Sequence, residues 1–313
     1  MNLTSQEFQS LDALLTVLTS PLPYFDLAPR VQRKNSRPGL LEIFAVCGNW
    51  YDVPHKASVM ASAAKQRPSA TLLLTGGRAE RLTPPEAVKQ GGEPLLLQNH
   101  LHQQYGLPKS RMAVYSGSRI TNHNLLAMLM FAETTTDFER QPVSLTIYEE
   151  AFLVRREAAA MHALLQRPEA VLAAGSLEVV RFRPVGALTF RGLVETHGGR
   201  VEVALALVLG EIARLRSYSI PSNRSNEVVL PATAAALDPG LTDAVDRIFA
   251  RHRKGLLAVG KELLADPVRL WASGAAPRGM GRTGDEPVEI RSPRLIGRRA
   301  RLKSLKPGTR STW

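Results

Sequence analysis

The chain has 313 residues, 44% hydrophobic and 22% charged, an ordinary globular composition long enough to bury a full core without staples. Its single cysteine, Cys47, excludes an intrachain disulfide and any zinc site built from several cysteines. The formal charge of +12 is uneven: ten Lys/Arg stand against three Asp/Glu from Arg278 to Trp313, which puts +7 there and leaves +5 on residues 1–277.

The N-terminal stretch lacks the basic and unbroken apolar regions of a secretory leader, and no run approaches the ~18 apolar residues of a membrane span. The expectation is a cytoplasmic protein with no transmembrane segment. Thr4 and Glu7 have capping-box spacing, and Leu11, Leu14, Leu15 and Leu18 recur on one helical face. Residues 1–36 are therefore predicted to be an amphipathic helix and a linker.

From residue 37 short apolar runs alternate with helical patterns. LLEIFAV (40–46), ATLLLT (70–75), RMAVY (111–115), VSLTIY (143–148) and LEVVRFRP (177–184) read as strands. Between them lie an Ala-rich helical stretch at 56–65, GEPLLLQNHLHQQY, TNHNLLAMLMFAE and FLVRREAAAMHALLQ. This alternation predicts right-handed βαβ units and a mostly parallel sheet covered on both faces, an α/β core over 37–220. VEVALALVLGEIARLRSY (201–218) reads as a strongly apolar helix. A helical C-terminal addition is expected over 221–270, broken at Gly255 and Gly260, and a basic, disordered tail over 271–313.

Ligands of open α/β sheets sit beyond the carboxyl ends of the strands, so chemistry is expected just after each apolar run. There stand Gly48 and Asn49, then Thr75, Gly76 and Gly77, then Ser118, Thr121 and Asn124, then Glu149 and Glu150. Glycines at such tips serve either a tight turn or the close approach of backbone N–H groups to a ligand. Glu93 opens the helix after the Gly-rich loop, where a carboxylate stabilises the helix N-terminus or binds a hydroxyl or amine. Glu93 and Glu149 are the candidate catalytic bases. Arg155 and Arg156 are either solvent-facing charge or a bidentate grip on a carboxylate or phosphate. Ser118 caps the following helix or contacts the ligand.

Other motifs fall away. GMGRTG (279–284) has the glycine spacing of a dinucleotide loop but neither the strand nor the helix that makes one. His100 and His102, two apart in a predicted helix, face different ways, and no metal site is predicted. Cys47 reads as a small packing residue, since no base is identifiable beside it. The tail supports a second reading, a non-catalytic interaction protein gripping nucleic acid or anionic lipid.

The strand ends in this order resemble the YdcF/SanA/ElyC family, a domain of unknown function, over roughly residues 1–250 and closest to its YdcF branch. The resemblance rests on GN after the first strand, TGG after the second, and Glu93 followed by a helix to GLPKSRM. It also rests on the SxxTxxN of Ser118, Thr121 and Asn124, on Arg155 and Arg156, and on GEIARL (210–215). It implies a Rossmann-like three-layer sandwich, a cytoplasmic location and a nucleotide-like ligand, S-adenosylmethionine being the one linked with the YdcF type. Tyr115, His123 and Phe152 depart from it, standing where many members carry acidic residues or, in the SanA-like branch, a histidine.

Overall fold

A computed structural model describes residues 2–20, 40–47, 53–77, 91–118, 121–135, 142–166, 177–219 and 229–262. Gly48, Asn49, the loop 78–90 and the basic tail lie outside these. The described residues fall into two compact units. A sheet unit draws on Pro23–Glu149 and Leu164–Val185, and a helical unit on Met1–Leu22, Glu150–Ala163 and Gly186–Ile290.

The sheet is parallel, with strands β1 (Leu41–Cys47), β2 (Thr71–Thr75), β3 (Met112–Tyr115), β4 (Val143–Glu150) and β5 (Leu177–Val185) in the order β3-β2-β1-β4-β5. Strand β1 pairs with β2 from Ile43↔Thr71 to Cys47↔Thr75 and with β4 from Leu41↔Val143 to Val46↔Tyr148. Strand β2 continues to β3 from Leu72↔Met112 to Thr75↔Tyr115.

Side chains alternate across a strand, so each one supplies both faces. Phe44, Val46, Leu72, Leu74, Met112 and Val114 pack under helices α2 (Val53–Gln66) and α3 (Glu93–Tyr105), which bring Ala57, Met60, Ala61, Leu97 and Leu101. Helix α4 (Thr121–Thr135) packs on β1 and β2, where the alternate residues Ala45 and Leu73 are buried. The result is three layers. Right-handed crossovers dictate this division: β1 to β2 to β3 steps one way across the sheet, and the return past β1 to β4 must run over the other face. Both faces are therefore dry, which is why these runs are continuously apolar rather than alternating.

Arg111 braces the sheet unit. Its Nη2 donates to the carbonyls of Ala64, Arg67 and Ala70 at 3.3, 3.0 and 2.9 Å, satisfying the acceptors left where α2 ends and β2 begins. Helix α3 ends on Gly106 in the left-handed region, whose N–H donates back to His102 and Leu101.

The helical unit begins with α1 (Ser5–Thr19), capped by the expected Thr4–Glu7 box. Leu11, Leu14, Leu15 and Leu18 are all fully buried, as their spacing predicts. The Asp12 Oδ1 accepts from the Phe190 N–H at 2.7 Å, and the Phe8 and Phe190 rings meet edge to face at 5.7 Å. These contacts tie α1 to α6 (Phe190–Thr196), which follows α5 (Val154–Leu165) and β5 in the chain. Helix α7 (Val201–Tyr218) is buried along nearly all of its length and packs against α8 (Pro239–Glu262). Helix α8 runs unbroken through Gly255 and Gly260, where the sequence suggested interruptions. Its stripe of Val245, Ile248, Phe249, Leu256 and Val259 is buried, and apolar packing outweighs the ~1 kcal/mol that each helical glycine costs. The two units also cut across the linear division expected from the sequence, because α1 and α7 join α8 in one body. No helix among the described residues is long and apolar enough to cross a membrane.

A cavity in this core has a predictable cost. Leu74, fully buried, should lose about 2–5 kcal/mol on substitution as Leu74→Ala, whereas Leu188→Ala, 58% exposed, should change stability by less than about 0.5 kcal/mol. Urea denaturation of the two variants checks both values.

Candidate functional site

Strand order reverses at β1, with β2 on one side and β4 on the other, and a crevice opens at the carboxyl ends of strands where this happens. The residues at this edge of the sheet unit are Cys47, Thr75, Gly76, Gly77, Ser118 and Glu149, joined by Glu93 at the start of α3.

The tips are zipped together by backbone. The Gly76 N–H donates to the Tyr115 carbonyl at 3.0 Å, and the Ser118 N–H donates to the Gly76 carbonyl at 3.1 Å. The chain after β2 thus continues to pair with the chain after β3. A Cβ at residue 77 would stand 1.6 Å from the Ser118 carbonyl oxygen, so this close approach excludes every side chain but hydrogen. The Thr75 Oγ1 donates to the Val46 carbonyl at 3.0 Å, which closes β2 onto β1. Thr75 and Gly76 are therefore structural at their side chains and carbonyls, and Gly77 is both structural and polar: its N–H donates to the Glu93 carboxylate.

Glu93 is the electrostatic centre. It is only 6% exposed, although glutamate is almost never buried without compensation. Burial pushes its carboxyl up to about 7, helped by the Glu149 charge and opposed by the Lys56 ammonium and the Gly77 N–H. Lys56 is 2% exposed and Glu149 fully buried. The Cys47 Sγ and a Glu149 carboxylate oxygen lie within 4.8 Å of each other. At neutral pH Glu93 thus exchanges a proton readily, which suits a general acid or base.

Asn124 sits in the first turn of α4, buried on the side of that helix that packs onto β1 and β2. Its Oδ1 has no hydrogen-bond partner among the described residues. Gly48 and Asn49 lie outside the described residues, as does the side chain of Thr121, and with residues 119 and 120 also outside, the capping role expected for Ser118 is not described.

The remaining predicted site residues belong to the helical unit, where the structure gives them internal partners. The carboxylate of Glu150 lies against Gly186, where a Cβ would approach its Oε2 to 2.7 Å. The Arg155 Nε donates to the Ala234 carbonyl at 2.8 Å, Nη2 to Thr233 at 3.2 Å and Nη1 to Val17 at 3.4 Å. Arg155 therefore joins the turn before α8 to the end of α1. The Arg156 Nε meets the Glu211 Oε2 at 2.5 Å, and Arg214 holds the other oxygen of the same carboxylate. Burial opposes both charges, but the mutual attraction wins, holding Arg156 above its usual range and Glu211 below the usual carboxylate range. The arginine pair expected to grip a ligand anion is instead engaged by carbonyls and by Glu211.

Lys56 was not among the residues expected from sequence. The signal was there: it occupies the stripe Val53, Lys56, Ala57, Met60, Ala61 and Ala64 of α2, where every other member is apolar. A lysine inside such a stripe is either snorkelling or paired, and here it faces Glu93.

No known family, curated protein or solved structure matches the chain.

Two expectations follow. The folded chain holds the Glu93 proton more tightly, near 7 against an ordinary 4.5. Its contribution to stability is therefore undiminished below about pH 4.5, declines as the pH rises toward 7, and costs on the order of 3 kcal/mol beyond. Glu93→Gln should be more stable than the parent at pH 8 and close to it at pH 5 in urea titrations across that range. Arg156→Met, which leaves Glu211 buried with one partner fewer, should cost about 3–5 kcal/mol at pH 7 by the same measurement.

Proposed function

We propose that the sheet unit binds a small nucleotide-like molecule, an adenosyl compound with S-adenosylmethionine as the leading candidate, over the carboxyl ends of β1, β2 and β4. The observation that carries this reading is the buried group of Glu93, Lys56 and Glu149 at the point where the strand order reverses. A purely structural glutamate gains nothing from a proton affinity near neutrality, whereas displaced pKa values gather where a site handles protons or charged ligands. The resemblance to the YdcF type supplies the adenosyl class.

The residues fit such a ligand. Carboxylates suit a cationic or hydrogen-donating group, and Asn124 offers a further buried acceptor. If turnover occurs it is group transfer or hydrolysis, with Glu93 taking the proton from the attacking hydroxyl or water and Glu149 holding the negative field that keeps Glu93 basic. Lys56 limits that field, so that Glu93 is ionised in a useful fraction of molecules at pH 7. Gly77 orients the carboxylate through its N–H.

Isothermal titration with S-adenosylmethionine, S-adenosylhomocysteine and a nucleotide panel tests the proposal. Saturable binding of an adenosyl compound is expected, weakened about tenfold or more by Glu93→Gln, since a charge-assisted hydrogen bond contributes ~1.5–3 kcal/mol. Absence of binding across the panel, or affinity unchanged in Glu93→Gln, would overturn it.

A further inference from the structure

Counting donors and acceptors at the strand ends narrows the ligand. Three buried side chains there are acceptors: the Glu93 carboxylate when ionised, the Glu149 carboxylate, and the Asn124 Oδ1. The donors already face inward to the protein. The Gly77 N–H serves Glu93, the Lys56 ammonium stands beside the same carboxylate, the Gly76 and Ser118 N–H groups serve the Tyr115 and Gly76 carbonyls, and the Thr75 hydroxyl serves Val46.

Asn124 supplies an independent sign. It is 6% exposed and lies between the first turn of α4 and the ends of β1 and β2, yet its Oδ1 has no partner among the described residues. A buried amide oxygen left without a donor costs free energy that a ligand hydroxyl or amine recovers on binding.

Resting on the reading under Proposed function, we infer that this end of the site recognises hydrogen-bond donors, namely the vicinal hydroxyls of a ribose, and rejects a phosphate in their place. A phosphate at neutral pH is acceptor-only and anionic. It would meet three acceptors and two carboxylates in a dry pocket, and the helix N-terminus where an anion would settle already begins with the carboxylate of Glu93. A ribose diol offers two O–H donors to the same atoms. The ligand is therefore bound by its nucleoside part, with any phosphate kept away from the Glu93, Glu149 and Asn124 group.

The test compares three probes on the full chain by isothermal titration at pH 7.5: adenosine, 2′,3′-dideoxyadenosine and adenosine 3′-monophosphate. Adenosine should bind, and each of the other two should bind about tenfold or more weakly, the loss expected for a hydrogen bond to a charged acceptor. Asn124→Ala should weaken adenosine while leaving dideoxyadenosine unchanged, so that retained dideoxyadenosine binding shows the variant to be folded. Equal affinity for adenosine and dideoxyadenosine, or tighter binding of the 3′-phosphate, overturns the donor inference and leaves the adenosyl reading standing. Failure of every adenosyl compound to bind overturns both.

Discussion

Strand β1 hydrogen-bonds to β2 on one side and β4 on the other, and helices cover both of its faces. With no edge and no wet face, its interior positions accept only apolar side chains, and every polar group the fold needs is displaced to the strand tips. The same constraint places the crevice. The chain moves outward from β1 to β3, then must return past β1 to make β4, and the helices on either side leave the ends of β1 and β4 uncovered by one another. Cys47, Gly77, Glu93 and Glu149 gather there because nowhere else in the sheet unit could hold them.

Two buried charge groups show different physical solutions. Glu211 in the helical unit is held by Arg156 and Arg214, so its charge is fully matched and its proton affinity falls. Such a network secures geometry and has no reason to titrate near neutrality. Glu93 has one lysine and one backbone N–H against burial and a second carboxylate, and the balance leaves its proton loosely held around pH 7. Incomplete compensation costs stability, and sites that handle protons or ligands are where proteins tolerate that cost. Glu93 is thus a candidate for function and Glu211 for architecture, although both are buried glutamates.

Much of the fold was legible in the sequence. The apolar runs of β1 to β5, the Thr4–Glu7 cap and the leucine stripe of α1 could be read from period and spacing, because burial on a strand or helix face dictates which positions are apolar. Gly76 and Gly77 could be placed at a strand tip, but the reason for Gly77 could not. It is the Ser118 carbonyl, forty-one residues further on, that forbids a side chain there. Lys56 was visible as an anomaly in an apolar stripe, yet an anomaly names no partner. Arg155 and Arg156 were misjudged for the opposite reason: adjacent arginines after a strand look like an anion grip, while their carbonyl and carboxylate partners lie far away in sequence.

The sequence by itself determined the α/β class, the order of strands and helices, the presence of a strand-end cluster of small and acidic residues, and the concentration of positive charge toward the C-terminus. These depend on local pattern, which each segment carries within itself. The tertiary structure alone decided that β1 sits between β2 and β4, that α1 belongs with α7 and α8, and that Glu93 shares its burial with Lys56 and Glu149. Proton affinity and hydrogen-bond satisfaction depend on which groups meet across long stretches of chain, and desolvation exists only once the chain has closed around them.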